Sequence, residues 1–234
     1  DLKQITYRLK IGYLNMKTEW DYTELADAYI KRPDYAEVVI DAMLAVAGIN
    51  SGKACDVGAG VAHLTRILAA RNLEVTAVEP NDAMRKNGKK RTVNLENVKW
   101  HSGTGEATGQ PANEYDLVTF GSSFNVCDRQ SALRETARIL KPAGWFACMW
   151  NHRHLEDPVQ KEIESIITQS IPSYGYGSRR EDQTKVIDES NLFQSVVHLD
   201  GFIVHEQKII ETIEAWRSHA TLSRQAGDQF LPII

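Results

Sequence analysis

From Lys53 onward, short apolar segments alternate with stretches whose apolar residues recur at helical spacing. The apolar segments have the length and composition of buried strands. They are Lys53–Val57, Glu74–Glu79, Val98–His101, Tyr115–Gly121 and Trp145–Trp150. The amphipathic stretches between them predict helices: Ala62–Ala70, one capped by Asn81 through about Lys90, and one capped by Asp128 through Leu140. This alternation predicts right-handed crossovers and an α/β fold with a doubly wound, mostly parallel sheet.

Further elements flank the alternating region. Tyr22–Lys31 and Tyr35–Ala47 precede it and read as two helices separated by a proline-containing break. Pro158–Gln169 follows it as a helix, and Leu199–Ile210 has the pattern of a sixth strand. We therefore predict a helical amino-terminal lid (1–50), a cofactor-binding core (51–151), an inserted cap (152–194) and a return to the core sheet (195–234).

Composition places the chain among ordinary globular domains. Its 234 residues are 42% hydrophobic and 25% charged, and the net charge of -4 gives no electrostatic reason to expect nucleic acid. No apolar run is long enough to cross a bilayer and no signal segment opens the chain, so we expect a cytoplasmic protein without a membrane partner. The 3 cysteines form no C-x-x-C pair, and neither zinc nor a disulfide framework is indicated. The oligomeric state stays open.

The turn after the first strand carries the first indication of chemistry. Asp56, Gly58 and Gly60 stand between a strand and a helix, where glycines let backbone approach a ligand and aim helical N–H groups at it. Ala62 stands near the third position of the glycine pattern, which by itself is a weak signal of nucleotide binding. Glu79 ends the second strand, where an acid accepts hydrogen bonds from a ribose diol.

The charge of this turn discriminates between cofactors. A pyrophosphate beside Asp56 would be repelled, whereas an ammonium group would be attracted. S-adenosyl-L-methionine has an ammonium group, a ribose and no phosphate, so the sequence favours it over NAD. An NAD-dependent oxidoreductase on the same fold is the alternative, although the third glycine is missing. A protein that binds the cofactor without turnover is a second alternative.

Five segments in order resemble the successive motifs of class I S-adenosylmethionine-dependent methyltransferases. They read DVGAGVAHLT, VEPNDAMR, GTGE, YDLVTFGSSFNV and ARILKPAGWFACMWN. More narrowly, the chain resembles the small-molecule branch that includes trans-aconitate methyltransferase-like enzymes, from roughly Tyr22 to the end. The resemblance implies a Rossmann-like methyltransferase fold, with S-adenosyl-L-homocysteine as product. The family's sheet ends with a seventh strand, which we expect to be missing because the chain stops at Ile234 in a helical pattern.

The resemblance also implies a cofactor site at the carboxyl ends of the strands. Asp56, Gly58 and Gly60 would hold the methionine part of the cofactor, and Glu79 would hold the ribose. The other implied contacts are Pro80 and Met84 near the adenine, Thr104, Gly105 and Glu106 at its edge, and Gly121 and Ser122 beside the sulfonium.

The predicted lid contributes three more candidates. Tyr22 and Tyr29 carry aromatic faces that attract a sulfonium, although packing within the lid is an equally good interpretation. Arg32 can clamp a carboxylate of the cofactor or of a substrate. Its alternative interpretation is a solvated helix end.

Candidates on the acceptor side follow the fourth and fifth strands. Asn125 can orient an acceptor or cap a helix. His152 and His154 are candidate bases, with Arg153 between them for an acidic substrate, or else solvated loop residues. As H-x-H the histidines could bind a metal, but no third ligand is placed and we expect none.

A loop rich in aromatic residues and glycine follows the helix of the predicted cap. Insertions of this kind often build substrate pockets, and Arg179 and Arg180 could recognise a carboxylate or phosphate there. The alternative interpretation is an exposed loop. Together the sequence predicts a methyltransferase that uses S-adenosyl-L-methionine on a small molecule. O- or N-methylation is favoured, with an acidic or sugar metabolite suggested by the arginines.

Overall fold

A computed structural model describes residues 21–234, so the first twenty residues of the predicted lid lie outside it. Five strands form one sheet within this range: β1 (Gly52–Val57), β2 (Leu73–Val78), β3 (Val98–His101), β4 (Tyr115–Gly121) and β5 (Leu140–Met149). All pairs are parallel, and the order is β3-β2-β1-β4-β5. The order reverses between β1 and β4, and in open α/β sheets ligands bind at the carboxyl ends of strands at such a point.

Helices cover both faces of the sheet and form the two ends of the described chain. They are α1 (Ala26–Tyr29), α2 (Glu37–Ala47), α3 (His63–Ala69), α4 (Asp82–Arg91), α5 (Arg129–Ile139), α6 (Pro158–Ser170), α7 (Thr184–Glu189), α8 (Ile209–Arg217), α9 (Ala220–Ala226) and α10 (Phe230–Ile233). Within residues 21–234, none of them is long and apolar enough to cross a bilayer.

Two predicted helix caps are confirmed. The side chain of Asn81 accepts hydrogen bonds from the N–H groups of Ala83 and Met84, and that of Asp128 accepts one from Ser131. Each cap satisfies donors that the first turn of a helix leaves open, at a gain of about 1 kcal/mol. The caps fix where α4 and α5 begin, directly after the loops that follow β2 and β4.

Separate apolar clusters lie on the two faces of the sheet. One packs Phe120, Phe124 and Leu133 between the sheet and α5. The other packs residues such as Ile40 and Leu68 between the sheet, α2 and α3. Because β1 and β4 are buried on both faces, they read as continuous apolar runs, and the loops at their ends are held by a rigid base.

The predicted sixth strand over Leu199–Ile210 is wrong. No residue of this segment pairs with the sheet, and Ile209 begins α8. Phe202 and Val204 are 82% and 88% exposed, so the apolar pattern does not reflect burial in a sheet. The physical reason is that a strand needs a neighbour for its backbone groups, and local pattern does not supply one. The described part of 195–234 therefore does not return to the sheet.

The beginning of β5 also differs from the prediction. The strand starts at Leu140 rather than Trp145, because Leu140 already pairs with Tyr115 and an irregular register follows before Leu117 meets Trp145. Ala143 in this irregular segment has a φ of 63°. The proline-containing turn thus bulges within the strand instead of preceding it.

The lid helix α1 is fastened to two other parts of the chain. Asn87 of α4 donates a hydrogen bond to Asp27 at 2.8 Å, and Lys31 forms a salt bridge of 2.7 Å with Glu211 of α8. The amide of Gln207 adds a hydrogen bond to the Lys31 carbonyl. These polar contacts place the lid beside the carboxyl ends of β1 and β2.

Candidate active site

Internal hydrogen bonds hold the turn between β1 and α3. The N–H groups of Gly58 and Ala59 donate to the Val78 carbonyl at 2.8 and 3.0 Å. The N–H of Gly60 donates to a carboxylate oxygen of Glu79 at 2.9 Å. The N–H groups of these three turn residues are therefore satisfied by acceptors within the protein.

Glycine is required in this turn by conformation and by space. Gly58 and Gly60 have φ values of 69° and 55°, in the left-handed region that favours glycine. A Cβ on Gly58 would lie 2.4 Å from the Cβ of Ser123, which follows β4. The turn thus passes directly against the segment that leads to the acceptor side.

Asp56 lies beneath the turn and is 1% exposed. Its two oxygens accept hydrogen bonds from the hydroxyls of Thr65 at 2.6 Å and Thr119 at 3.0 Å. Burial raises the pKa of this carboxyl to about 6, against the opposing effect of the two threonines. The structure thus does not place Asp56 in direct reach of a ligand. Its bond to Thr65 ties the end of β1 to α3.

Glu79 links the ends of β1 and β2. Its carboxylate accepts the N–H of Gly60 through one oxygen and the N–H of Asn81, at 2.8 Å, through the other. Burial raises the pKa of Glu79 to about 7. A phosphate at this position would meet two carboxylates and N–H groups already in use, so the donor set fits a cationic, hydroxyl-bearing ligand instead.

The residues predicted near the adenine divide into two groups. Met84 is buried against Ala26 of the lid and Val61 of the glycine turn, and half-buried Pro80 precedes it in the chain. Both lie where the lid covers the end of β2.

The other group lies in the loop after β3. The Thr104 hydroxyl accepts the N–H of Ala107 within a turn, and a Cβ on Gly105 would lie 2.5 Å from the sulfur of Cys127. Glu106 accepts the N–H of Asp128 at 2.7 Å. The structure thus shows Glu106 joining this loop to the start of α5.

The end of β4 is closed by a tyrosine that the sequence did not single out. The hydroxyls of Tyr35 and Ser122 are 2.9 Å apart, and the N–H of Ser122 donates to the Met149 carbonyl. A Cβ on Gly121 would lie 2.9 Å from the Tyr35 hydroxyl. Gly121 and Ser122 therefore meet the predicted lid segment through Tyr35, and their place beside the sulfonium stays a prediction.

Three lid residues line a narrow cleft together with Ser122. Tyr22 and Tyr29 contact each other edge to face at 6.0 Å, and the Arg32 guanidinium lies 4.3 Å from the centre of the Tyr29 ring. Arg32 also donates hydrogen bonds to the hydroxyl and carbonyl of Ser218, at 2.7 and 2.8 Å. Arg32 is thus an anchored residue of the cleft and not a solvated helix end.

A cavity of about 340 Å³ adjoins this cleft, and Asn125 and Arg179 line both. The side-chain oxygen of Asn125 accepts a hydrogen bond from the indole N–H of Trp150 at 2.8 Å. Because an indole N–H can only donate, this bond fixes the amide, and the NH₂ group of Asn125 lies on the other side. Asn125 therefore has donors left to orient a bound molecule.

The structure does not bring the predicted bases to this cavity. His152 and His154 are exposed and line neither the cavity nor the cleft. His152 contacts the Arg179 carbonyl through Nε2 at 3.0 Å, and His154 packs its ring against Phe202. The base assignment is therefore corrected, because contacts of the loop after β5 hold both rings at the surface.

Arg153 is also used internally. It pairs with Glu164 of α6, donates to the Tyr176 hydroxyl at 2.9 Å and lies 5.0 Å from the centre of the Trp216 ring. Its charge is therefore balanced within the cap, and a substrate acid is not needed to satisfy it.

A histidine without a signal in the sequence lies close to the cleft. His219 accepts the N–H of Leu222 through Nδ1 and stacks on Trp216 with 5.2 Å between ring centres. Burial, followed by the charges of Arg32, Arg179 and Arg153, lowers the pKa of His219 to about 3. The imidazole is therefore neutral at pH 7 and its acceptor nitrogen caps α9.

Comparisons with known proteins agree with this arrangement. The family model for a methyltransferase domain matches residues 55–148. An uncharacterized methyltransferase of Schizosaccharomyces pombe is 32% identical over 147 residues, which cover 62% of this chain and 57% of that protein. The ubiquinone/menaquinone biosynthesis C-methyltransferase UbiE of Rickettsia akari is 28% identical over 163 residues, covering 63% and 64%. The chain thus spans less than two thirds of the length of these relatives.

A solved structure confirms the predicted Rossmann-like methyltransferase fold. A Methanococcus maripaludis protein, provisionally assigned as an S-adenosyl-L-methionine-dependent methyltransferase, has a TM-score of 0.53 at 22% identity. The match covers 73% of this chain and 76% of that one, and at this identity it shows the fold alone. The parallel sheet is thus the fold that this solved structure shares, and residues 55–148, which contain the acid-flanked glycine turn, are similar to the methyltransferase-domain family.

Proposed function

We propose that the chain transfers a methyl group from S-adenosyl-L-methionine to an oxygen or nitrogen atom of a small molecule. The observation that carries the proposal is the position of the two buried carboxylates. Asp56 and Glu79 lie at the carboxyl ends of adjacent strands and flank the glycine turn. A cationic, phosphate-free nucleoside matches their charge, whereas a dinucleotide does not.

The residues around the turn fit the cofactor. Glu79 keeps lone pairs for a ribose diol beyond the two N–H groups it accepts, and Asp56 supplies negative potential toward an ammonium group. Met84 and Pro80 offer an apolar surface for the adenine. Because they lack side chains, Gly58 and Gly60 let the backbone pass close to the ligand.

The bound cofactor would supply an electrophilic methyl group that is already activated. The contribution of this chain is then to position an acceptor and to exclude water. Asn125 donates hydrogen bonds that orient the acceptor, and the rings of Tyr22 and Tyr29 cover the sulfonium side. Because neither predicted histidine lines the cavity, an acceptor that needs no proton removed is favoured.

A carbon acceptor of the quinone type is the second candidate. It is favoured by relatives named for that chemistry, which include a demethylmenaquinone methyltransferase of Staphylococcus epidermidis that is 36% identical over 131 residues. That match covers 54% of each chain, so the acceptor-binding part is only partly compared. A cavity lined by Arg179, Arg224, Asn125 and Gln225 favours a polar metabolite over a quinone.

Methyl transfer from labelled S-adenosyl-L-methionine into separate acceptor classes tests the proposal. The panel contains carboxylic acids including trans-aconitate, neutral sugars, amines and a soluble demethylated quinone. We expect label in an oxygen or nitrogen product. Label only in the quinone carbon would support the second candidate. Cofactor binding without label in any class would indicate a binding protein that does not turn over.

A further inference from the structure

Arg179 lies in the wall of the cavity and is half-buried there. Within residues 21–234, no carboxylate, hydroxyl or carbonyl accepts a hydrogen bond from it. Two other arginines have carboxylate partners: Arg153 pairs with Glu164, and Arg129 pairs with Glu181 at 3.1 Å. A bound anion would accept charge-assisted hydrogen bonds from this half-buried guanidinium.

The charged side chains that line the cavity and the cleft are all positive within residues 21–234. Arg32 lines the cleft as well, and no aspartate or glutamate of the described chain lines the cleft or the cavity. The depressed pKa of His219 reports the same positive potential, because Arg32 and Arg179 contribute to it after burial. Burial and the charge of Arg32 likewise lower the pKa of Arg179.

The position of Arg179 connects this charge to the reaction. Arg179 belongs to the short 3-10 turn Gly177–Arg180, and Asn125 belongs to the turn Phe124–Val126 that directly follows the end of β4. Both residues line the cavity and also the cleft that contains Ser122. A molecule held between them would thus lie beside the position predicted for the sulfonium.

We propose that Arg179 binds a carboxylate or phosphate group of the methyl acceptor. The planar guanidinium offers paired donors to such a group, and Asn125 orients the remainder of the molecule. The acceptor is therefore an anionic small molecule and neither a neutral sugar nor a quinone. This inference rests on the proposed function for the role of the anion, but the anion site itself can be measured without turnover.

The test uses malonate and inorganic phosphate as separate probes at constant ionic strength. Each is titrated calorimetrically into the full chain, with and without S-adenosyl-L-homocysteine. Arg179→Met removes the charge and keeps the length of the side chain. Arg180→Met is the matched control, because Arg180 is exposed, stacks on Tyr176 at 4.2 Å and lines neither the cavity nor the cleft. Arg179→Gln replaces the first variant if circular dichroism shows that Arg179→Met is unfolded.

We expect the wild-type chain to bind at least one probe and Arg179→Met to bind it about tenfold or more weakly, as for the loss of charge-assisted hydrogen bonds. Arg180→Met should stay within about twofold of the wild type. Malonate binding alone would indicate a carboxylate acceptor, and phosphate binding alone a phosphorylated one.

Three results would overturn the proposal. One is equal probe affinity of the Arg179 variant and the wild type, and another is no binding of either probe. The third is a loss of S-adenosyl-L-homocysteine affinity in Arg179→Met, which would assign Arg179 to the cofactor carboxylate. If the wild type binds a probe but not S-adenosyl-L-homocysteine, the proposed function fails while the anion site stands.

Discussion

Substitution of the two glycines of the turn after β1 by alanine should have unequal effects. Both residues have positive φ, so each alanine enters the left-handed region. The space available to the new Cβ differs. At Gly58 it would lie 2.4 Å from the Cβ of Ser123, whose hydroxyl is bonded to the Val57 carbonyl at 2.6 Å. At Gly60 the nearest atom is the terminal methyl group of Met84, at 3.2 Å.

The expected magnitudes follow from these distances. The left-handed conformation costs an alanine about 1–2 kcal/mol at either position. Forced overlap with a well-packed neighbour adds about 1–3 kcal/mol at Gly58, because Ser123 cannot move without breaking its hydrogen bond. The flexible end of Met84 can shift, so little is added at Gly60. Gly58→Ala should therefore cost about 2–5 kcal/mol of unfolding free energy, and Gly60→Ala about 1–2 kcal/mol.

Urea unfolding followed by circular dichroism measures both variants against the wild type. A fall in the midpoint with an unchanged slope reports a loss of native stability. Equal losses of unfolding free energy in the two variants, or a larger loss for Gly60→Ala, would refute the claim that close contact with Ser123 makes glycine necessary at position 58.

Other consequences of the structure can be tested in the same way. Thr65→Val removes one hydroxyl donor to buried Asp56 and should lower the unfolding free energy by about 1–3 kcal/mol in urea titrations at pH 7, whereas Thr65→Ser should retain most of it. Glu79→Ala should weaken S-adenosyl-L-homocysteine binding by about one to a few kcal/mol in calorimetry, and unchanged affinity would remove Glu79 from the site. Burial raises the pKa values of Asp56 and Glu79 to about 6 and 7, so between about pH 4 and pH 7 the folded chain holds protons that the unfolded chain has lost. The contribution of these two carboxyls to the unfolding free energy should therefore fall as the pH rises through this range. A Glu79→Gln variant whose unfolding free energy fell with pH as steeply as that of the wild type would contradict this. His152→Ala should leave the methyl-transfer rate within about twofold of the wild type, and a large loss would restore its role as a base.

The central sheet could be predicted from the sequence because the pattern of each strand is set by a few consecutive residues. Val98–His101 and Tyr115–Gly121 have the predicted bounds in the structure. The Asn81 and Asp128 caps were predictable for the same reason, since a cap depends on a few consecutive residues. The segment Leu199–Ile210 carries a similar pattern but has no partner in the sheet, and strand pairing is not a local property.

The acceptor side shows a second limit of sequence-based prediction. His152 and His154 follow the fifth strand as catalytic residues would, but contacts made by their loop keep them at the surface. Sequence reasoning missed Tyr35, which contacts Ser122 at the end of β4, and His219, which caps α9 beside the cleft. Their places near the site depend on how segments far apart in the chain pack together. Arg179 was a candidate by type, and only the fold distinguishes it from its neighbour in the chain.

The most direct test of the central claim is calorimetric titration of the full chain with S-adenosyl-L-homocysteine and, separately, with NAD. We expect S-adenosyl-L-homocysteine to bind at one site per chain and NAD not to bind, because Asp56 and Glu79 disfavour a pyrophosphate at the glycine turn. Binding of NAD without binding of S-adenosyl-L-homocysteine would contradict the assignment of this site.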